Sequence, residues 1–410
     1  MPGRTELVVL TGTHTAGVER VIARLRAHRP GAAVLHHDLR DVAAGVVRRR
    51  LRHGATDERT VVELAHGCVS CTLREDVLPQ LRMLGRRSDV DLVVLHLDAA
   101  LAPEQTCWAI LHVVTAGALV TDVVDLRGVV AVIDAATWLG DATGSDDVAD
   151  RPALPCLPGD ERTMAQLAVE QAEFADLLVV DPGGAQEWEL LRTDAVLARL
   201  APSPVRLSPA ELDGQVLLGE LPYGARRGRP DRVHAPLLRG EPPLHTEADV
   251  TLTLFTARRP FHPDRLHTAM DTLLDGVVRA RGRIWLATRP DAVIWLESAG
   301  GGLQIGHSGE WLAADPAAWD HADPERRAAA ALRWHPRFGD RVQELTILSH
   351  DADPADIRAA LRAALLDDTE LAAGEAAWAR YPDPFGWWHT DPCGELTPEP
   401  AHPHHDHEEH

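Results

Sequence analysis

The sequence contains no lysine: all 41 of its basic residues are arginine. Asparagine is absent too, while alanine and arginine abound, a bias resembling a GC-rich coding origin in which single replacements can be compositional drift. No run of about eighteen apolar residues occurs, which excludes a helical membrane span. The N-terminus leads straight into a strand candidate, so no signal peptide is expected. Five cysteines, an odd number in a long chain, argue against a disulfide framework and predict a reducing, cytoplasmic setting. The formal charge of −21 disfavours a general grip on nucleic acid, and no direct DNA binding is expected. No local nucleophile signature justifies a hydrolase assignment, so no catalytic residue is assigned.

What is present points to two domains, since 410 residues exceed one typical core. Residues 1–200 alternate short apolar strand candidates (6–10, 33–37, 91–97, 129–134, 176–181) with amphipathic helices (Val18 to His28, Arg74 to Arg87, Arg162 to Phe174). Such alternation implies an α/β domain whose parallel sheet is covered on both faces. Residues 201–248, rich in proline, glycine and arginine, read as a linker. Residues 249–390 read as a smaller α+β domain, with a strand from Val250, a helix from Pro263 to Leu274, and strands near 283–287, 292–296, 303–306 and 344–348, then a helix from Pro354. Residues 391–410 end in a histidine-rich tail expected to be disordered; its mixed His and carboxylate groups suit weak metal buffering or mere solubility. The run Arg48-Arg49-Arg50-Leu51-Arg52-His53 reads as a solvated helix face.

Between the first strand and helix, Thr11-Gly12-Thr13-His14-Thr15-Ala16-Gly17-Val18-Glu19 keeps the glycine spacing of a phosphate-binding loop. That motif needs a lysine at position 18 to reach the terminal phosphates and a hydroxyl at 19 to hold magnesium. Gly12, Gly17 and Glu19 are the candidate nucleotide-contacting residues. Glu19 reads either as a first-turn acid favoured by the helix dipole or as a replacement magnesium ligand.

The most specific motif is His66-Gly67-Cys68-Val69-Ser70-Cys71-Thr72-Leu73-Arg74. Alone, its C-x-x-C could be a redox pair, two zinc ligands or buried thiols. The helix that follows would lower a thiol pKa through its N-terminal dipole. Cys68, Cys71 and His66 are the candidate metal ligands, with His37, Asp38 or Glu63 able to complete the set. Cys107 reads as a packed thiol, and Cys156 and Cys393 as neutral loop cysteines. His14 and His96 read as metal ligands or as polar residues lining a cleft.

Taken together, these segments resemble the CobW-type metallochaperone GTPases along nearly the whole chain. The resemblance lies in Gly67-Cys68-Val69-Ser70-Cys71-Thr72-Leu73-Arg74, and then in Arg259-Pro260-Phe261-His262-Pro263, Gly276-Val277-Val278-Arg279-Ala280-Arg281-Gly282, Trp285-Leu286-Ala287-Thr288-Arg289-Pro290, Gly339-Asp340-Arg341-Val342-Gln343-Glu344-Leu345 and Asp383-Pro384-Phe385. It implies a P-loop NTPase-like doubly wound sheet followed by the family's C-terminal domain, with zinc and GTP–magnesium as cofactors. Four segments depart from the family. Its middle cysteine is Ser70; its switch segment reads His37-Asp38-Leu39-Arg40; its Walker B region reads His96-Leu97-Asp98-Ala99-Ala100; and its guanine-reading N-K-x-D is replaced by Asp181-Pro182-Gly183-Gly184. Further features, H-G-C-V-S-C, Thr106-Cys107-Trp108-Ala109-Ile110 and Gln171-Ala172-Glu173-Phe174-Ala175-Asp176, resemble the branch of ribosome hibernation factor-recruiting GTPases. That branch implies a partner, a hibernation factor or the ribosome itself, under zinc limitation. The expectation is a zinc-linked scaffold with weak or absent GTPase activity; the competing one is a GTP-hydrolysing zinc metallochaperone.

Overall fold

Valine- and leucine-rich segments, most of them five to eleven residues long, pair as strands because β-branched side chains pack well on a pleated surface. The computed structural model describes residues 4–386 apart from 153, 156, 158, 222–224 and 231–234. The chain opens with β1 (Thr5–Thr11), α1 (Thr15–His28), β2 (Ala32–Asp38), β3 (Val46–His53) and β4 (Thr56–Glu63). One continuous helical run follows: α2 (Val69–Thr72), a π-helical turn (Leu73–Val77) and α3 (Leu78–Leu84). Then come β5 (Leu92–His96), α4 (Pro103–His112), β6 (Val124–Asp134), α5 (Trp138–Thr143), α6 (Met164–Phe174), β7 (Leu177–Asp181), α7 (Glu187–Leu200), β8 (Val205–Leu207) and α8 (Gly214–Gly219).

These strands form an eight-stranded sheet in the order β4-β3-β2-β5-β1-β6-β7-β8. From β2 to β8 the neighbours are parallel, while β3 and β4 add an antiparallel hairpin at one edge. Alternate strand residues serve the two faces. Val8, Leu10, Val34 and Val94 pack against Val18, Val21, Ile22 and Leu25 of α1. Leu7, Val9, Leu35 and Leu95 pack against Leu73, Val77, Leu78 and Leu81 of the run that carries the cysteines, and against α4. Chain order reverses at β1, so a crevice opens at the carboxyl ends of β5, β1 and β6.

The second domain comprises β9 (Val250–Ala257), α9 (Pro263–Leu274), β10 (Val277–Ile284), β11 (Ala292–Ala299), β12 (Gly302–Glu310), α10 (Ala318–His321), α11 (Pro324–Arg333), β13 (Gln343–His350), α12 (Pro354–Ala364), α13 (Asp368–Ala373) and α14 (Glu375–Trp378). Its antiparallel sheet runs β12-β11-β10-β13-β9. Residues of α9 and α12 cover one face through Leu266, Met270, Ile357 and Leu361, together with Phe261 just before α9. On the other side Val250, Leu252, Val278 and Leu348 join the core of α6 and α7. The β11–β12 turn is all glycine because Gly144 and Ala165 leave no room: a Cβ on Gly300 would stand 2.4 Å from the Gly144 carbonyl oxygen. Among the described residues no helix is long and apolar enough to cross a membrane.

The α/β architecture follows the sequence expectation, with two local differences. Arg48 to His53 is not a helix face but strand β3. Residues 201–248, read as linker, carry β8, which pairs with β7, and α8. Cys393 and the histidine-rich tail lie outside the described residues, as does Cys156.

Candidate functional site

The β1–α1 loop keeps its backbone shape through close packing. A Cβ on Gly12 would approach the Val132 carbonyl oxygen to 2.9 Å and a Val18 methyl to 2.9 Å. Val18 is fully buried in the core beneath α1. His14 is the N-cap of α1 but its side chain caps nothing; its Nδ1 lies 3.1 Å from Asp134 Oδ2 at the end of β6.

Glu19 lies in the second turn of α1, not the first, since the helix starts at Thr15. Its carboxylate accepts two hydrogen bonds from Arg52 of β3, Nη1 to Oε2 at 2.7 Å and Nη2 to Oε1 at 3.1 Å. Arg52 is almost wholly buried and Glu19 is 40% exposed. Arg52 stands opposite Val34 in register, on the α1 face of the sheet, which is why it reaches the helix. The other arginines of the run are also engaged: Arg48 with Asp41, Arg49 with Asp76 and Arg50 with Asp57.

Behind this pair, His96 of β5 stacks on His36 of β2 with ring centroids 4.3 Å apart. Burial, then the neighbouring His36, pushes His96 down to about 3, so its imidazole is neutral near pH 7. His36 donates from Nδ1 to the His96 carbonyl at 3.1 Å. Asp98 accepts from the backbone N–H of Leu39 at 3.0 Å and of Ala100 at 3.1 Å, tying the ends of β2 and β5. At the far side of the crevice Asp181 accepts from Arg20 Nε at 3.0 Å and from Gly183 N–H at 3.1 Å. Its carboxylate is thereby oriented inward to α1 rather than left open for a base.

The cysteine segment is built differently. Gly67 must be glycine because a Cβ there would stand 2.2 Å from the Val42 carbonyl oxygen. Cys68 caps α2, its Sγ accepting from Cys71 N–H at 3.4 Å. Cys68 is exposed and Cys71 partly so, while Cys107 is buried, as expected for a packed thiol. The helix dipole does not govern Cys71. Its hydrogen bond to Cys68 and proximity to Glu75 raise its thiol to about 11, the opposite of the expected lowering.

Asp76, in the π-helical turn, is the residue that sequence reasoning missed. Buried, it accepts from His37 Nε2 at 2.7 Å and Arg49 Nη1 at 2.6 Å. This fixes the cysteine-bearing run to the ends of β2 and β3. It also places His37 with Asp76, and Asp38 with Arg40 (2.9 Å), not with the thiols. His66 is exposed. Among the described residues no three His, Cys, Asp or Glu side chains converge as a metal site. The two thiols, with Glu75 beside Cys71, are what this place offers a metal, and two thiolates would be half of a tetrahedral zinc shell.

The doubly wound sheet with its glycine loop at the switch point defines a nucleotide-binding α/β fold carrying a separate antiparallel domain. Residues 7–183 match the CobW/HypB/UreG nucleotide-binding domain, and residues 250–365 match the cobalamin synthesis protein cobW C-terminal domain. The chain belongs to the CobW family. It is 45% identical over 408 residues to the zinc chaperone Rv0106 of Mycobacterium tuberculosis, covering 96% of each chain. It is 25% identical to the zinc-regulated GTPase metalloprotein activator 1 of Dictyostelium discoideum, covering 82% of this chain and 72% of that one. A solved structure, the Zn(II)-bound YjiA GTPase of E. coli, aligns with 89% of this chain and all of that one at 14% identity and a TM-score of 0.36.

Proposed function

We propose that this chain is a zinc-linked CobW-type scaffold of the cytoplasm that recruits a ribosome hibernation factor to ribosomes under zinc limitation and turns over little or no GTP. One observation carries the reading: the Arg52 guanidinium clasps both oxygens of Glu19, where the motif would place a magnesium-binding hydroxyl. A magnesium ion there would have to displace a half-buried, bidentate ion pair. Val18 fills the lysine position with buried hydrocarbon, His96 offers a neutral ring at the Walker B position, and Asp181 is turned to Arg20. These residues do not fit a magnesium nucleotide, and we read the loop as a degenerate P-loop.

Zinc is supported by the donor chemistry and by the two relatives named for zinc. Cys68 and Cys71 would hold the ion as thiolates, with two further ligands supplied from outside the described residues. Such a half-site suits a shared or passing ion better than a closed structural one. The π-helical turn links it to the ends of β2 and β3 through Asp76, so occupancy at the thiols would bias that edge of the sheet. The net charge of −21 favours a basic protein partner over direct contact with ribosomal RNA.

The test is paired. In pull-downs at high and low zinc, wild type should capture the hibernation factor in a zinc-dependent manner and a Cys68→Ser/Cys71→Ser variant should not respond. Identical capture by both would overturn the scaffold reading. Labelled GTP titrated with magnesium should show no saturation below ~1 mM. Tighter binding with turnover would favour the second reading, a GTP-hydrolysing zinc metallochaperone, for which the uncapped N-terminus of α1 and the Gly12–Gly17 backbone remain available.

A further inference from the structure

We propose that the cavity between α11 and the antiparallel sheet is a binding site for a carboxylate group, held by the guanidiniums of Arg326 and Arg333 and by the Trp311 indole N–H. The site lies in the second domain alone and is independent of any role for zinc or nucleotide.

The sequence builds this cavity from one helix face. Consecutive alanines from Ala328 to Ala331 favour helix over Pro324–Arg333, with proline in its first turn and the Asp323 side chain accepting from the Glu325 N–H. Arg326, Ala329, Ala330 and Arg333 recur at helical spacing and line the cavity together. The two small side chains leave a gap between helix and sheet, with an arginine at each end of the run. Opposite them stand Arg283 of β10, Val293 of β11, Asp340 and Val342, and Trp311, just past β12, completes the wall. The volume is about 40 Å³. A buried water needs roughly 10–15 Å³ of such space, so the cavity takes about three atoms of that size, which is the bulk of a carboxylate group.

Its walls carry donors in excess. Trp311 is 4% exposed and shares an apolar cluster with Val293 and Val342, yet its indole N–H has no acceptor among the described residues. A buried indole N–H ordinarily finds a partner. Among the same residues Arg326 makes one hydrogen bond, from Nη2 to the Glu310 carbonyl, and Arg333 makes one, from Nη1 to Glu344 Oε2 at 3.0 Å. A guanidinium has five N–H donors, so both arginines keep most of theirs. The nearby acids are already engaged. Glu344 Oε2 also accepts from Arg283 at 3.0 Å, so one oxygen serves two cations. Asp340 accepts from the N–H groups of Leu312 and Ala313, both at 2.9 Å. Burial lowers Arg283 more than Glu344 restores it, and Arg333 adds to the lowering, which leaves this wall short of negative charge.

The ligand class follows from the donors and the room. A planar pair of oxygens matches the guanidinium fork and still has lone pairs for the indole N–H. A carboxylate supplies that pair within the volume, whereas a tetrahedral phosphate group exceeds it. Ala329, Ala330, Val293 and Val342 offer apolar surface to the carbon that bears the group. The carboxylate can belong to a small acid or to an acidic side chain of a peptide.

The experiment is calorimetric titration of the full chain with acetate, succinate and Nα-acetyl-glutamate methylamide. Sodium chloride at equal ionic strength controls for screening, and inorganic phosphate tests the class. The expected result is saturable carboxylate binding in the ~1 mM range or tighter, weakened at least ~10-fold in Arg326→Gln and in Arg333→Gln and ~5-fold in Trp311→Phe. Both arginines sit on an outer helix, so melting of their variants should stay within ~2 °C of wild type, which separates lost binding from lost fold. In heteronuclear NMR spectra of wild type, the Trp311 indole N–H signal should shift on saturation, a readout that holds whether or not Trp311→Phe folds. Binding of the glutamate derivative alone would support the proposal with a partner's acidic side chain as the source; binding of acetate or succinate would support it with a small acid. No saturation by any carboxylate up to ~10 mM, wild-type affinity in both arginine variants, an unmoved Trp311 signal, or tighter binding of phosphate than of every carboxylate would overturn it.

Discussion

The β1–α1 crevice and the Cys68–Cys71 segment belong to the same domain but treat charge in opposite ways. In the crevice the acids have internal partners: Glu19 has Arg52, Asp181 has Arg20, Asp134 has His14, and Asp98 has the backbone N–H groups of Leu39 and Ala100. At the cysteines the thiols face solvent with only each other and Glu75 close by, while the buried charge lies one turn further along at Asp76. A site whose groups satisfy one another has little left to offer a ligand. A site with exposed, under-coordinated donors on a firmly anchored helix has its binding capacity intact. The difference supports placing the proposed working surface of this domain at the cysteines.

The largest effect that would break this contrast is at the anchor. Asp76→Ala leaves His37 and Arg49 buried without their carboxylate, and should cost about 3–5 kcal/mol of stability. Urea unfolding measures it. A loss under about 1 kcal/mol would show that the anchor does not hold the cysteine-bearing run.

Next in size is the clasp between domains. Glu173→Gln deprives Arg279 and Arg281 of their shared carboxylate and should destabilise by about 3 kcal/mol. Calorimetry should then resolve two transitions where wild type is expected to give a single cooperative one. A single, unshifted transition would mean that the shared apolar core alone unites the domains.

Smaller again is Gly67→Ala, whose new Cβ meets the Val42 carbonyl oxygen at 2.2 Å. Backbone must move, at a cost of about 1–3 kcal/mol. The change should also alter alkylation rates at Cys68 and Cys71, whereas substitution at exposed Gly140, with open space around it, should leave them unchanged.

Most of the fold was legible because its strands are apolar and its helices amphipathic. Pro263 and Pro354 sit at the first turn of α9 and α12, where the missing N–H is harmless. The β3 strand was not legible because arginine occupies both of its faces: Arg50 and Arg52 on the α1 side, Arg49 on the other. Polar residues on both faces erase the period-two signal, and only tertiary partners reveal the strand. The same masking hid the true span of β10, where Arg279, Arg281 and Arg283 alternate with small residues. The Gly12–Gly17 loop and the C-x-x-C were readable as local motifs. Arg52 on Glu19 and Asp76 on His37 were not, because each joins residues more than thirty positions apart.

The smallest predicted effect tests whether a paired acid behaves alike outside the crevice. Glu370 accepts two hydrogen bonds from Arg265, both at 2.7 Å, and this pairing lowers its carboxyl to about 2. A depressed folded-state pKa contributes stability that is fully present above the unfolded glutamate value near 4.5 and is lost as pH falls toward about 2. The pair is partly solvated, so screening should limit its contribution to about 0.5–1 kcal/mol. Wild type should therefore lose its advantage over Glu370→Gln between about pH 4.5 and pH 2, with the gap constant from about pH 5 to pH 8. A gap that widened on acidification would reverse the sign and show that Arg265 does not hold the ionised form. The crevice pair of Glu19 and Arg52, with similar bidentate geometry but a buried guanidinium, should show a larger gap between Glu19→Gln and wild type than this one at neutral pH, because Arg52 without its acid is left buried and short of a counter-charge.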